Sequence, residues 1–306
     1  MITFLARRLS QLVPVLVGVS VIVFLMIHLI PGDPAVLVAG IDATKEDVAA
    51  VRQSLGLDKP LVMQYGEFVG RVATGDFGKS FRTGRPVSEE IGVRYWNTMI
   101  LGLSAVVFGT LLGVITGILT AVYRNGWFDS SILAVSLLGI SIPSFFLGIS
   151  LMLLFSVYLG WLPLTGMDSW KNLILPTLTL GIPNAAIISR ITRSSLVEVL
   201  NQDYVRTARA KGLKESVVVG HHGVRNALIP VVTVVGLQMG YLLGGAVVTE
   251  TVFAWPGIGR LIVQSIAARD FPVVQASVLL LALTFVMINL LTDVLYRILD
   301  PRIKFK

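Results

Sequence analysis

The chain has 306 residues, of which 54% are hydrophobic and 14% are charged, and its mean hydropathy is +0.80. Soluble domains carry about 25% charged residues, so this composition argues against a soluble globular protein and predicts a membrane protein. The excess of basic residues, 25 Lys and Arg against 18 Asp and Glu, is typical of the cytoplasmic loops of membrane proteins. The absence of cysteine excludes disulfides and Cys-based nucleophiles or metal sites.

Several apolar stretches are long enough to cross a bilayer, which needs about 20 residues. Six are predicted as spans, at residues 9–30, 98–122, 132–159, 173–191, 227–248 and 273–295. The first could be a secretory signal, but it is long for one and is followed by a poor cleavage site, PGDPAVLVAG, so we expect a retained span. The fourth is the least regular, because Pro176, Pro183 and Asn184 interrupt its apolar run.

The distribution of basic residues predicts that both chain ends lie in the cytoplasm. With six spans starting inside, the basic stretch 190–225 and the tail 297–306 are cytoplasmic, and the short outer loops 160–172 and 249–272 hold few Lys or Arg. The expected organisation is a cytoplasmic end with the first span at 1–30, an extracytoplasmic segment at 31–97, a core of five spans at 98–295 with a cytoplasmic loop at 192–226, and a cytoplasmic tail at 296–306.

The segment between the first two spans is predicted to fold. Thr44 and Asp47 make an imperfect capping box before a helix that Gly56 ends, and a second helix is expected at 61–72. The following stretch ATGDFGKS, at 73–80, matches the phosphate loop G-x-x-x-x-G-K-[ST] except at its first position. A phosphate loop also needs a buried strand before it and a helix after it. Because neither is expected here, we predict a surface turn and no ATP binding by this chain.

The stretch DYVRTARAKGL, at 203–213, is unusually basic and rich in small residues for so apolar a chain. Asp203 is a predicted N-cap and Gly212 a predicted C-terminal stop. The helix between them has about two turns, which is too short to be stable alone. From the residues by themselves, two partners remain open. Small side chains such as Thr207 and Ala208 would let a protein cleft approach closely, whereas the basic ones would suit anionic lipid headgroups.

Together, RTARAKGL and the following HHGVRNALIP resemble the cytoplasmic signature of permease subunits of bacterial ABC importers, and most closely the peptide, opine and nickel permease family. The stretches LIPGDPA, GDFGKSF, ETVFAWPGIGRL and DVLYRILDPRIK agree, so the resemblance covers the chain from end to end. In the broader superfamily the loop reads E-A-A-x-x-x-G and then I-x-L-P. Arg206, Thr207 and Ala208 occupy the first three positions and Gly212 the glycine. The missing Glu and the longer spacing to Pro230 are features of the peptide group.

This resemblance implies an all-α polytopic membrane protein with six transmembrane helices, the type I ABC importer permease fold, and a folded extracytoplasmic segment. It implies no catalytic residue and no cofactor, because partner subunits bind the ATP. The implied partners are cytoplasmic ABC ATPase subunits, a second, homologous permease subunit, an extracytoplasmic substrate-binding protein and membrane lipid, with no nucleic acid. The implied location is the bacterial cytoplasmic (inner) membrane. Dipeptides or oligopeptides are the expected substrates, with glutathione, opines or nickel chelates as alternatives.

Two groups of residues carry the expected function. In the family the basic helix, called the coupling helix, docks in a cleft on the ATPase, and this role is carried over to Arg206, Thr207, Ala208, Arg209, Ala210, Lys211, Gly212 and Leu213. Polar residues within spans are candidates for the transport pathway or, alternatively, for hydrogen bonds between helices. These candidates are Asn184, Gln238 and Tyr241.

Other interpretations find less support in the sequence. No metal site is predicted, because the adjacent His221 and His222 do not share a helix face and no acidic residue completes a set. A self-sufficient secondary transporter or channel is the alternative from another class. It predicts inverted repeats and ion-coupling carboxylates near the middle of the bilayer, and the sequence has no convincing repeat.

Overall fold

The structure, a computed structural model, describes residues 2–29, 33–40, 43–54 and 56–299. Most of the predicted tail and part of the LIPGDPA stretch lie outside these residues. The chain divides into two compact units, Met1–Trp96 with Arg260–Val286, and Asn97–Gly259 with Met287–Lys306.

The described residues are mainly helical. The helices are α1 (Ile2–Leu29), α2 (Pro34–Ala39), α3 (Lys45–Ser54), α4 (Leu61–Ala73), α5 (Val87–Val122), α6 (Trp127–Ser141), α7 (Ser144–Met152), α8 (Ile174–Leu200), α9 (Asp203–Ala210), α10 (Glu215–Val217), α11 (Arg225–Val252), α12 (Ile258–Ala267) and α13 (Phe271–Leu299). Two π-helical segments follow α7 and α10, at Leu153–Tyr158 and Val218–Val224.

Five of the predicted spans correspond to single long helices. Windows in α1, α5, α8 and α13, and one that runs from α10 into α11, are long and apolar enough to cross a membrane. The predicted fourth span, the least regular by sequence, is one continuous helix through Pro183, and it continues as far as Leu200. The helix therefore continues beyond the predicted end of the span at residue 191, because polar residues in this part of α8 lower the hydropathy without interrupting the helix.

The third predicted span is broken. Helix α6 and the helix made by α7 and its π-helical segment are bent by 104° with respect to each other. The break lies where Ile142 is extended and Pro143 precedes the first turn of α7. A residue before proline is disfavoured in the helical region, and proline lacks the N–H that would continue the helix. Pro143 thus marks a sharp break in this span.

Contacts along α8 show how the broken span runs. Near one end, Asp129 of α6 pairs with Arg193. Farther along, a Cβ added at Gly139 would lie 3.8 Å from Ala186 Cβ, and one at Gly148 would lie 3.3 Å from a methyl carbon of Thr179. Residue numbers therefore rise along α6 and α7 while they fall along α8. We infer that α6 and α7 together cross the membrane antiparallel to α8, rather than forming a re-entrant loop that returns to the side on which α6 begins.

The first unit confirms the predicted helix start. The Thr44 amide donates to Asp47 Oδ2 (3.0 Å) and the Asp47 amide donates to Thr44 Oγ1 (3.2 Å), which is a reciprocal capping box at the start of α3. The hydrogen bond from the Thr44 hydroxyl holds the pKa of the Asp47 carboxyl below its usual range. Gly56 follows the helix with a left-handed φ of 66°, as a helix stop requires.

Glycines of α5 allow a close helix contact within the second unit. A Cβ added at Gly113 would lie 2.7 Å from the carbonyl oxygen of Ala185, and one added at Gly117 would lie 2.6 Å from that of Ser189. Such distances require that α5 and α8 touch through their backbones, as small residues spaced four apart allow in membranes.

The glycines of the fifth span differ in how closely they approach a neighbouring helix. Gly236 does approach a neighbouring helix, because an added Cβ would overlap the side chain of Thr292 in α13. An added Cβ at Gly244 would meet no atom of the described residues within 4 Å. Close packing in this span is therefore present at some of its glycines and absent at others.

Candidate coupling site

The basic helix forms where it was predicted. Helix α9 begins at Asp203 and is separated from α8 by only two residues, the second of which, Gln202, is its N-cap. The predicted cap was one residue later. Gly212 has a left-handed φ of 77° and its amide donates to Arg209 O (2.9 Å). The glycine stop is therefore present, because a side chain would be strained at this φ.

One side of α9 is buried within the chain itself. Val205 and Ala208, 0% and 6% exposed, pack on Val218 of the π-helical segment before α11 and on Leu200 at the end of α8. The small size of Ala208 thus serves a close approach inside the chain. This contact explains how so short a helix is stable, because it rests on the end of α8 and on the π-helical segment that leads into α11.

An ion pair and hydrogen bonds also hold α9 in place. The Arg209 guanidinium donates to both carboxylate oxygens of Glu215, at 3.1 and 2.7 Å, and to the carbonyl oxygen of Leu200 at 3.3 Å. Its hydrogen bond with Glu215 raises the pKa of Arg209 above its ordinary value. The Tyr204 hydroxyl lies 2.9 Å from the Asn226 amide nitrogen, at the start of α11. These bonds tie α9 to both flanking helices.

The opposite side of α9 and the turn after it are exposed. Tyr204 and Leu213 are 45% and 41% exposed. We define the exposed face as the exposed positions of the stretch other than Asp203 and the paired Arg209, namely Tyr204, Arg206, Thr207, Ala210, Lys211, Gly212 and Leu213. The face combines two large apolar groups, small residues and two cations, and such a mixture suits a partner protein as well as a charged surface.

Two of the three pathway candidates are in contact with each other, and the third lies apart from them. The Gln238 side chain donates to Asn184 Oδ1 at 3.2 Å, which joins α11 to α8. Asn184 is 2% exposed and its Nδ2 has no hydrogen-bond partner among the described residues. Tyr241 is 73% exposed, on the surface of this chain. The pathway role of all three stays a prediction.

The stretch that resembles a phosphate loop has a different geometry. It follows α4, whereas a phosphate loop follows a strand, and α5 begins seven residues after Ser80. The Ser80 hydroxyl, which would have to bind a metal–phosphate group, is buried and donates to Asp270, whose other oxygen accepts from the Phe81 amide at 3.0 Å. The turn is thus held by the chain itself.

A buried acid in the stretch ETVFAWPGIGRL was missed in the sequence. Glu250 is fully buried and accepts a hydrogen bond of 2.6 Å from the Thr98 hydroxyl, which itself accepts from the Ile258 amide at 2.8 Å. A Cβ added at Gly257 would overlap the Glu250 carboxylate. A signal was available: an acid at the end of an apolar span, followed by two closely spaced glycines.

Comparison with known proteins identifies the family. The profile of the binding-protein-dependent transport system inner membrane component matches residues 109–305, and the profile of the corresponding N-terminal part matches residues 1–102. The glutathione transport system permease proteins GsiC of Salmonella typhimurium and Escherichia coli K12 are 52% and 50% identical over 306 residues, 100% of each chain. The MetNI methionine ABC transporter, in an inward-facing conformation, is similar in fold with a TM-score of 0.60 and 21% identity, over 69% of this chain and 96% of that one. This chain is therefore a member of the family of inner-membrane components of binding-protein-dependent transport systems, and is a permease subunit of an ABC importer.

Proposed function

We propose that this permease subunit imports glutathione or a closely similar small peptide. The observation that supports the substrate is the similarity to the GsiC proteins, about half of all residues over the full length of both chains. General dipeptides or oligopeptides, the first expectation from the sequence, become the alternative. Opines and nickel chelates are more distant alternatives.

Competition during uptake tests the substrate. Cells that lack their own glutathione importer would express this chain with its native partner subunits and be given labelled glutathione. We expect uptake that unlabelled glutathione suppresses, whereas a tenfold excess of a dipeptide or of a nickel chelate leaves it largely unchanged. Suppression by the dipeptide at concentrations at which glutathione is ineffective would show that the alternative is correct.

The exposed face of α9 is the proposed contact with the ATPase subunits. The support is mechanical, because Val205, Ala208 and the Arg209–Glu215 pair rest α9 on the end of α8 and on the helical segment that leads into α11. A partner that moved the exposed face would therefore move two spans at once, as in a rigid-body transition between two states of a transporter. The other proposed partners are a second permease subunit and an extracytoplasmic binding protein. Both chain termini are proposed to lie in the cytoplasm.

Two alanines of α9 give a matched test of this contact. Ala210 is exposed and Ala208 is buried, so Ala210→Trp adds bulk to the exposed face without filling the interior. We expect Ala210→Trp to insert normally but to lose the ATPase subunits on purification, and Ser130→Trp, at an exposed position of α6, to keep them. Ala208→Trp should reduce the amount of folded chain.

The lipid interpretation predicts a different order. If the face binds anionic headgroups, Ala210→Trp is harmless and Arg206→Glu, at a side chain that is 73% exposed, removes most of the membrane contact. Retention of the ATPase subunits and of full transport by Ala210→Trp would contradict the proposed coupling role.

A further inference from the structure

Helix α6 has few buried side chains for a helix within a membrane-spanning core. Along Trp127–Ser141, the buried residues are Asp129 and Gly139. Val135, Leu137 and Leu138 are 59% to 67% exposed on this chain, whereas Ile132 and Leu133 are partly buried. Since glycine has no side chain, Asp129 is the fully buried side chain of α6.

The contact of Asp129 is a two-bond ion pair with α8. Arg193 Nε donates to Asp129 Oδ1 at 2.7 Å, and Arg193 Nη2 donates to Oδ2 at 2.6 Å. The aspartate side chain is 4% exposed and the arginine side chain 25% exposed. A bidentate pair fixes the orientation of both groups as well as their distance. Away from water its attraction is stronger than that of an exposed pair.

The same aspartate holds the turn that leads into α6. The Asn125 amide donates to Asp129 Oδ2 at 3.0 Å. Asn125 has a left-handed φ of 64°, a conformation that asparagine tolerates better than most residues. Asp129 therefore connects the turn after α5, the first turn of α6 and the side of α8.

Arg193 lies on the part of α8 that leads directly to α9. It is seven residues before Leu200, the last residue of α8, or about 10 Å along the helix axis at 1.5 Å per residue. At its other end, α6 stops at the break before Pro143. A displacement of α8 at this level therefore reaches the first turn of α6 through the ion pair, and the break before Pro143 separates α6 from α7.

We propose that the Asp129–Arg193 pair is the positioning contact that makes α6 follow α8 when the ATPase subunits move α9. The proposal rests on the proposed function of α9 and adds a residue pair that carries the motion into the first half of the broken span. Both side chains are positioning residues, which act on the position of α6.

Two labels on exposed positions test the link directly. The chain has no cysteine, so Ser130→Cys on α6 and Ser194→Cys on α8 provide sites for spin labels. In the assembled transporter we expect the distance between the labels to stay constant when ATP is added, because the two helices move together. In the double variant Asp129→Asn with Arg193→Gln it should change by about 2 Å or more, the size of helix shifts in such transitions.

The double variant separates positioning from folding. It leaves no unpaired buried charge. Asp129→Asn alone would leave the charge of Arg193 without its partner, and Arg193→Gln alone would leave that of Asp129 without its partner, each at a cost to folding. We expect the double variant to assemble with its ATPase subunits but to hydrolyse about tenfold more ATP per molecule imported, within the range of coupling between sites. Glu67→Gln, which breaks the exposed pair with Lys59 (42% and 52% exposed), is the control and should leave this ratio unchanged.

Two results would overturn the proposal: an unchanged ratio of ATP to substrate in the double variant, or a label distance as constant as in the parent. The width of the label distance distribution is also measured in the isolated chain, where we expect it to be narrow in the parent and broad in the double variant. That measurement needs no ATPase, so a failure of assembly would count against the proposed function and would leave the test of the pair intact.

Discussion

At the scale of single residues, the closest contacts in the structure involve glycines that the sequence does not distinguish from their neighbours. Gly102 and Gly113 lie in the same helix, α5, and both have ordinary helical backbones. A Cβ at Gly113 would meet the carbonyl oxygen of Ala185 and the Cβ of Ile188, both at 2.7 Å. One at Gly102 would meet nothing within 4 Å in the part of the chain that the structure describes. The same substitution should therefore have opposite effects at the two positions.

We expect Gly113→Ala to lower the free energy of unfolding by about 1–3 kcal/mol, because backbone atoms on both helices must separate to admit the methyl group. Gly102→Ala is the control, and should be neutral or stabilise by up to about 1 kcal/mol through the higher helix propensity of alanine. Thermal unfolding of the two purified variants in one detergent measures the difference. Equal stability of both variants would contradict the backbone contact between α5 and α8.

The Arg209–Glu215 pair leads to a prediction about pH and salt. Because the pKa of Arg209 is raised in the folded state, its ion pair stabilises that state at any pH below the ordinary pKa of arginine. This stabilisation is lost only when the pH rises through the raised pKa, which lies above that ordinary value. The effect of Arg209→Gln on stability should therefore be the same at about pH 6 and about pH 9. Because both side chains are about half exposed (41% and 59%), we expect a loss below about 1 kcal/mol, reduced further at high salt. Thermal unfolding at two pH values and two salt concentrations checks this expectation.

At the scale of elements, the broken span decides the topology of the chain. If α6 and α7 cross together, as their contacts with α8 indicate, the loop after α8 lies on the side opposite to the segment after α1. If they instead formed a re-entrant loop, the two regions would lie on the same side. The distinction rests on the antiparallel order of contacts from Arg193 to Thr179 along α8.

Labelling of single cysteines tests this order. Thr83 and Ser216 are both exposed, so Thr83→Cys and Ser216→Cys can each react with a reagent that does not cross membranes. In intact cells we expect Thr83→Cys to be labelled from outside and Ser216→Cys to react only after the membrane is opened. Labelling of both from outside would support the re-entrant arrangement and remove the crossing of α6 and α7.

At the scale of the whole molecule, the chain is a non-catalytic subunit of a larger transporter complex. Permease subunits of ABC importers do not hydrolyse ATP themselves, and the ATPase partners do. The stretch ATGDFGKS agrees with this division, because its Ser80 hydroxyl is used within the chain, by Asp270. The neighbouring Lys79 forms an isolated antiparallel bridge with Pro86, eight residues before α5 begins.

Nucleotide measurements follow from this assignment. The purified chain should bind no ATP at millimolar concentrations, and Lys79→Ala should leave the transport-coupled ATPase rate of the assembled complex within about twofold of the parent, as for a surface substitution away from any site. Walker-lysine substitution in the ATPase subunit of the same complex is the positive control and should abolish hydrolysis. Loss of ATP binding in Lys79→Ala would restore the phosphate-loop interpretation.

Features that depend on neighbouring residues could be predicted from the amino-acid sequence. Runs of apolar residues predicted five of the six spans as single helices, the pair Thr44 and Asp47 predicted a capping box, and Gly212 predicted the end of α9. These features are local, because a helix, its caps and its hydropathy depend on residues a few positions apart. The signature around α9 is local as well, and it indicated the family from a few consecutive residues.

The pairs of residues that meet across the chain, in contrast, follow from the tertiary structure. Asp129 and Arg193 are 64 residues apart, and no pattern near either one shows that they form a pair. The burial of Ala208 depends on Val218 and Leu200 packing beneath it, and from the sequence that side of the helix was assigned to a partner. The physical reason is the same in both cases: hydropathy and helix propensity set where each helix forms, whereas the contacts between helices depend on how their surfaces fit together.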